Sequence, residues 1–512
     1  MMIYGVCNGA KKFRFSIAMA MAILYVMLLT LSIVYFASFL IFNVSSSSIS
    51  MPPSSSTFQD NQVYQKEKQL SQQTSTPHIQ STISCDRSHY HYDLCSINCP
   101  TVLDSKTSTF YAIGPTSPRQ FMQKIRPYPR KWENFTMSNI NQVTILSGPK
   151  APLCDVTHNT SALLFSAGGY TGNFFHDFNE GFLALFITVQ LMSLTNQDVN
   201  LVIQEAHDWW VSKYKNLLGA FSNYPIIILD DQKINHCFKS AILGLVSHGF
   251  MTIDPKLMPR PTTLIDFHFF LDKAYNKAQW SILSSSSYPI YPVRKGYNQN
   301  CQTMPLSEKI AAKTTFDSKK TCNKTQYSIP PYNLDQPKLI LLSRANGSGR
   351  VMLNQIEIII MAENLGFNVT VFEPKPETPL SEAYGLMKET HVLLGIHGAA
   401  LTHLLFLRPE SIFIQVVPIG TDDVAEMCYG RPAKEMGLQY LEYKISIEES
   451  SLVEKYDKLD PILHDPMSQK NGWVFLKKVY LKQQNVRLNL IRFRKYLKYA
   501  YKKAKIFMYK VG

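Results

Sequence analysis

At 512 residues the chain is too long for one ordinary domain and suits two lobes with accessory segments. Its net charge of +14 is a property of the tail: 13 Lys and Arg and no acidic residue follow Asp465, which leaves 39 basic against 38 acidic residues elsewhere. That balance excludes a chain-wide basic surface of the kind that neutralises nucleic-acid phosphates. The absence of any Gly-x-Ser-x-Gly elbow argues against a lumenal hydrolase.

Lys11, Lys12 and Arg14 precede an uncharged run of 28 residues from Phe15 to Phe42. Such a run crosses a bilayer with tilt and exceeds the roughly 7–15 apolar residues of a cleaved signal peptide. The basic flank keeps residues 1–14 in the cytosol, so residues 15–42 are predicted to be the uncleaved signal-anchor of a single-pass type II membrane protein whose bulk is lumenal. Residues 43–83, rich in Ser, Thr, Gln and Pro, have too little apolar surface to order and read as a disordered stem. Eight cysteines follow the membrane run: Cys85, Cys95, Cys99, Cys154, Cys237, Cys301, Cys322 and Cys428. In an oxidising compartment this even set predicts up to four disulfides, and Cys95 with Cys99 has no companion pair at zinc spacing. Sequons at Asn43, Asn134, Asn159, Asn323, Asn346 and Asn368 fit secretion.

Residues 84–330 are predicted to form an N-terminal, acceptor-side α/β lobe, with apolar strands at Leu163–Ser166, Val199–Ile203, Ile226–Leu229 and Ala241–Leu245 and a helix over Phe178–Met192. A glycine-rich turn, Gly168-Gly169-Tyr170, leads into Phe174-Phe175-His176-Asp177 at a helix start. Either His176 or Asp177 there is placed to take a proton, although an acidic residue in a first helical turn also serves simply as a cap. The Pro-, Ser- and Lys-rich stretch from Tyr288 to Pro331 reads as the connector between lobes.

Residues 331–465 carry the clearest pattern, four apolar runs at Leu339–Leu342, Val369–Phe372, Val392–Leu394 and Ile412–Val417, each followed by a polar or glycine-rich turn. The first intervening helix is expected to start at Asn354 with a capping box to Glu357, to bury Ile356, Ile359 and Ile360, and to end at Gly366. Ser381–Thr390 and Ala399–Leu407 supply two more. Strands alternating with helices imply a parallel sheet with ligands at its carboxyl edge. At that edge stand Arg344, Arg350, Glu373 and the turn Gly395-Ile396-His397-Gly398. Two guanidinium groups, glycine-exposed amides and a helix N-terminus suit a nucleoside diphosphate, and Glu373 suits a ribose diol or a base edge. The basic segment 466–512, with Leu481, Leu488, Ile491, Leu497 and Tyr501 interleaved, is expected to be a helix packed across both lobes with its lysines in solvent; attraction of glucuronate-bearing glycans is the other reading.

The strings GGYTGNFFHDFNE (Gly168–Glu180), GIHGAALTH (Gly395–His403), QVVP (Gln415–Pro418) and MGLQYLEYKI (Met436–Ile445) resemble glycosyltransferase family 61, in particular its plant branch. The resemblance runs from about Ser84 to the C-terminus. It implies a GT-B architecture of two Rossmann-like lobes, with the nucleotide sugar on the C-terminal lobe at Arg344, Arg350, Glu373, Gly395, His397, Gly398 and Gln415, and inversion at the anomeric carbon. It also implies a Golgi enzyme, alone or in a complex, that moves arabinofuranose or xylose from a UDP-pentose to a polysaccharide or glycan acceptor, xylan first. An N-glycan β-1,2-xylosyltransferase and a catalytically silent scaffolding member are the alternatives. No Asp-x-Asp motif is present, so Arg344, Arg350 and helix amides are expected to neutralise the leaving diphosphate with no metal or other cofactor.

Overall fold

The computed structural model describes residues 83–114, 121–147, 150–194, 196–283, 336–345, 347–466 and 472–511. The chain divides into two units, Met1–Gln80 and Ser81–Gly512, and every described residue belongs to the second. The expected cytosolic tail, membrane run, stem and connector, together with Asn346, Cys301 and Cys322, lie outside the described residues. Among the described residues no helix is long and apolar enough to cross a membrane.

Three sheets build an α/β protein. The first runs β1 (Ile83–Asp86), β2 (Leu94–Ile97), β12 (Ala241–Leu243), β8 (Ser161–Ser166), β9 (Val199–Gln204) and β10 (Ile227–Ile228). Its strands β12, β8, β9 and β10 are parallel, and β1 and β2 extend the edge antiparallel. A second, mixed sheet runs β5 (Met122–Ile125), β6 (Val143–Ser147), β4 (Thr109–Ala112), β3 (Thr101–Asp104), β11 (Asn235–Phe238) and β7 (Val156–Thr157). The third is wholly parallel, β14 (Asn368–Phe372), β13 (Lys338–Leu342), β15 (Val392–Ile396), β16 (Ile412–Val417) and β17 (Gln439–Lys444).

Period-two alternation assigns each strand face to a layer. Ala162 and Leu164 of β8 face the mixed sheet, with Phe110 and Ile145, whereas Leu163 and Phe165 face helices. The helices facing β8 include α1 (residues 174–191), α2 (Asp208–Phe221) and α3 (Leu264–Leu283); α4 (Gln355–Asn364), α5 (Leu380–Lys388) and α6 (Leu490–Val511) follow in the chain, α4 and α6 packing on the third sheet in a separate cluster. One apolar cluster runs from Leu163 and Phe178 through Phe267 and Tyr384 to Leu342 and Leu393, so α1, α2, α3 and α5 form a shared layer between the first and third sheets.

Two helix expectations are corrected. The side chain of Asn354 does not cap α4: its Nδ2 donates to the Leu488 carbonyl at 2.8 Å and its Oδ1 accepts from Leu488 N–H at 3.0 Å, clamping the strand-like tail instead. In α4 Ile358 is fully buried while Ile356 and Ile360 are exposed, because three consecutive isoleucines left the inward face undetermined until the sheet chose it. Gly366 does end the helix, at φ +102°. Helix α6 packs on the third sheet alone, through Phe493, Leu497, Ala500 and Ala504, rather than across both lobes, and Ile491 points outward at 80% exposure. Among the described residues, disulfides join Cys85 to Cys95 and Cys154 to Cys237, while Cys99 and Cys428 are unbonded; two bridges lie within the expected range of up to four.

Candidate active site

The third sheet has the strand order 2-1-3-4-5 in its own count, so the chain reverses direction of winding between β13 and β15 and opens a crevice beyond their carboxyl ends. Arg344 leaves β13 into that crevice and His397-Gly398 leaves β15. A Cβ built on Gly398 would lie 2.6 Å from Arg344 Nη1 and 3.1 Å from Arg350 Nη1, so both guanidinium groups converge on this turn. Arg350 is aimed by its own bonds, Nε donating to the Leu481 carbonyl and Nη1 to the His397 carbonyl, each at 2.8 Å. Arg344 Nε donates to the Gly349 carbonyl at 3.0 Å. Neither arginine meets a carboxylate among the described residues. Burial and mutual repulsion push Arg350 down to about 10, and burial lowers Arg344 as well. Two partly desolvated cations without a counter-charge make a receptor for a dianion.

The turn is supported from behind. His397 is buried and pushed down to about 3 by burial and by the two arginines, so it is neutral. Gln415 Nε2 lies 3.1 Å from His397 Nδ1, and Gln415 Oε1 accepts from Tyr440 O–H at 2.9 Å. With Gln415 Oε1 occupied, its amide donates to Nδ1 and the His397 proton sits on Nε2. Gly395 lies inside β15, where a Cβ would stand 2.8 Å from Leu401. The turn then opens a 3₁₀ helix, Ala399–Phe406, whose first amides have no acceptor within the helix. Glu373 is exposed at the end of β14, with no hydrogen bond among the described residues.

Across the crevice, His176 lies in the first turn of α1. Its Nδ1 is 2.9 Å from Glu180 Oε2 one turn later. Glu180 is fully buried and accepts also from Arg130 Nη1 at 2.6 Å and Asn179 Nδ2 at 2.9 Å. Burial alone would raise its carboxyl; the bond and charge of His176 together with Arg130 hold it below the usual range, so it is ionised. An ionised carboxylate only accepts, so His176 Nδ1 donates to it and Nε2 is the ring nitrogen that this bond leaves unused. Asp177 is placed differently. It is buried, and its oxygens accept from Gly172 N–H at 3.2 Å, Trp210 Nε1 at 3.1 Å and Tyr214 O–H at 2.9 Å. It ties the turn to α2.

Tyr429 links the two sides, its buried ring edge-on to Phe175 at 5.6 Å and to His397 at 5.4 Å. Beside them a cleft of about 440 Å³ is lined by Phe174, Trp209 and Lys213 from one side and by Pro374, Ala399 and His403 from the other. His403 stacks on Phe174 at 4.5 Å and its Nδ1 is bonded to the Ala400 carbonyl, as a structural residue. Three π-helical turns surround the site, Asp177–Leu183, Glu426–Gly430 and Lys477–Lys482; they offset the register so that Glu180, Tyr429 and the Leu481 carbonyl reach it.

A family described as Glycosyltransferase 61 matches residues 174–414. A xylan glycosyltransferase of Arabidopsis thaliana is 39% identical over 440 residues, which cover 84% of this chain and 81% of that protein. The chain belongs to glycosyltransferase family 61. This family 61 glycosyltransferase is also 33% identical to an α-1,3-arabinosyltransferase of Oryza sativa subsp. japonica, over 80% of this chain and 63% of that protein. A β-1,2-xylosyltransferase of the same species is 29% identical, over 83% of this chain and 84% of that protein. The family match spans His176, both arginines and the Gly398 turn, and stops one residue short of Gln415.

Sequence reasoning missed Arg130, Glu180, Tyr429 and Tyr440. For Glu180 a signal was available: an ionisable residue inside an otherwise apolar helix, four positions after a histidine, demands a partner. Arg130 and Tyr429 carry no such local mark.

Proposed function

We propose that this glycosyltransferase moves a pentose, arabinofuranose or xylose, from a UDP-sugar to xylan with inversion at the anomeric carbon. The observation that carries the reading is the pair of guanidinium groups at the switch point of the third sheet, converging on Gly398 with no carboxylate among the described residues to neutralise them. The relatives' activities on xylan, arabinose and xylose support the choice of sugar and acceptor. The architecture is read as GT-B, the first sheet serving the acceptor and the third the donor. The nucleoside is assigned to the cleft between Pro374 and Trp209, next to the exposed Glu373.

In this reading the acceptor hydroxyl oxygen attacks the anomeric carbon as its proton passes to His176 Nε2. The bond from that carbon to the β-phosphate oxygen breaks, and UDP leaves with the electron pair toward Arg344, Arg350 and the amides after Gly398. Glu180, held ionised 2.9 Å from Nδ1, stabilises the imidazolium formed, and Arg130 keeps the carboxylate in position. The arginines supply the positive charge that a divalent cation supplies in other nucleotide-sugar enzymes. The type II anchor and Golgi lumen remain the expected setting, from the uncharged run at Phe15–Phe42.

The test is transfer by residues 81–512 from UDP-arabinofuranose or UDP-xylose to xylo-oligosaccharides, with chelator present throughout. Transfer of one pentose that Arg344→Ala abolishes is the expected result. UDP binding without transfer to any glycan, in wild type, would refute it in favour of a silent member of the family.

A further inference from the structure

The loop between β1 and β2 presents an exposed aromatic ring on an unusually braced support. Tyr90 is 67% exposed, yet the loop that carries it is closed at its base by the Cys85–Cys95 disulfide. Arg87 and Lys131 both pair with Asp93, at 2.7 and 2.8 Å. Lys131 N–H donates to the His91 carbonyl at 3.0 Å, and Lys131 Nζ donates to the Arg87 carbonyl. Folding gains nothing from holding a tyrosine rigidly in water, so the bracing points to a ligand that needs the ring fixed in place.

The ring is also continuous with the site. Tyr90 lies parallel to Trp132 with centroids 5.6 Å apart, an offset that leaves part of each face open. The Arg130 guanidinium sits 5.0 Å from Trp132 and 5.0 Å from Tyr170. Tyr170 in turn stacks on His176 at 4.4 Å. A ribbon of rings therefore leads from the imidazole proposed as the base out to solvent. The charges along it are already paired, Arg130 with Glu180 and Glu133, and Arg87 and Lys131 with Asp93, so the ribbon suits an uncharged ligand. The C–H faces of pyranose rings in a linear, neutral glycan chain match such a surface: flat, repetitive and weakly apolar between hydroxyls.

We propose that Tyr90 and Trp132 form a distal acceptor subsite that holds the backbone of a neutral β-linked pentan two or more residues away from the sugar being substituted at His176. This rests on the reading of the site as a xylan pentosyltransferase. The subsite makes the enzyme prefer long acceptors, because a chain too short to reach Trp132 gains nothing from it.

The experiment measures binding of xylobiose and xylohexaose by calorimetry, and transfer to each, for wild type, Tyr90→Ala and Trp132→Ala, with UDP affinity as the check on folding. Wild type is expected to bind xylohexaose at least tenfold more tightly than xylobiose. Tyr90→Ala, a change at an exposed ring, should weaken xylohexaose two- to tenfold and leave xylobiose and UDP unchanged. Trp132→Ala should do the same more strongly. A wild type that transfers to xylan with the same chain-length preference in both variants overturns the subsite alone. A wild type that binds UDP but no xylo-oligosaccharide overturns the acceptor assignment and the subsite together.

Discussion

Removing Arg344 should weaken donor binding about a hundredfold and leave the empty protein no less stable. Nη1 of Arg344 and of Arg350 lie 2.6 and 3.1 Å from one point, the position of a Cβ on Gly398, and so are at most 5.7 Å apart. At an effective dielectric constant near 20, two unit charges at that distance repel by about 3 kcal/mol. Exposure toward the crevice reduces this by about half, to roughly 1–2 kcal/mol. Against it stands one hydrogen bond, Arg344 Nε to the Gly349 carbonyl, that contributes about 1 kcal/mol. The net change on Arg344→Ala is therefore near zero or stabilising, a shift in melting temperature of about one degree upward or none for a body of this size. The same substitution removes charge-assisted bonds to phosphate worth about 3 kcal/mol, or roughly a hundredfold in UDP affinity. Thermal melts with and without UDP read both quantities. The wild type should gain several degrees from saturating UDP and the variant far fewer. A variant that melts well below wild type without ligand would refute the reasoning, because the guanidinium would then be fastening the fold rather than awaiting an anion.

His176→Ala should lower kcat by about 10²- to 10⁴-fold with UDP affinity unchanged, and Glu180→Gln should lower it less, both read by steady-state transfer. Asp177→Asn should act on stability instead. It weakens the acceptor shared by Trp210, Tyr214 and Gly172, costs about 1–3 kcal/mol in a denaturant titration, and spares kcat in the folded fraction. Because burial and Arg344 depress Arg350 to about 10, its cationic form is complete at neutral pH and lost as pH rises through that value. UDP affinity should accordingly be level from pH 7 to 9 and fall above pH 10, as followed by calorimetry, with the fall displaced upward in the complex, where the bound phosphate favours the charged form.

Much of the donor side was legible before any coordinates. The three central strands of the third sheet, β13, β15 and β16, are almost wholly apolar, the mark of strands buried on both faces, and the carboxyl ends of β13 and β15 fix where Arg344 and His397 emerge. The fifth, β17, alternates charged and aromatic residues at an edge and resembled a motif more than a strand. The mixed sheet escaped because its strands are two to five residues long and its two halves are joined by one pairing, β3 with β11, across more than a hundred positions. The acceptor side was half legible. The tract at Gly168–Glu180 announced a site, yet choosing between His176 and Asp177 depends on what Trp210 and Tyr214 reach, and no local pattern reports that.

The support beneath Arg350 has a consequence for how the enzyme is made. Arg350 N–H donates to the Gln484 carbonyl, its guanidinium to the Leu481 carbonyl, and Met352 bridges to Val486, so the loop is braced by chain some 130 positions downstream. A Cβ on Gly349 would be 2.5 Å from the Lys482 carbonyl, which leaves no slack in that fit. During synthesis both arginines emerge long before the segment that aims them, and a nascent chain halted at residue 470 would hold both guanidinium groups yet lack the Leu481 and Gln484 carbonyls that fix Arg350 in place. A stop at residue 470 should therefore be as damaging to UDP binding as removal of the arginines themselves.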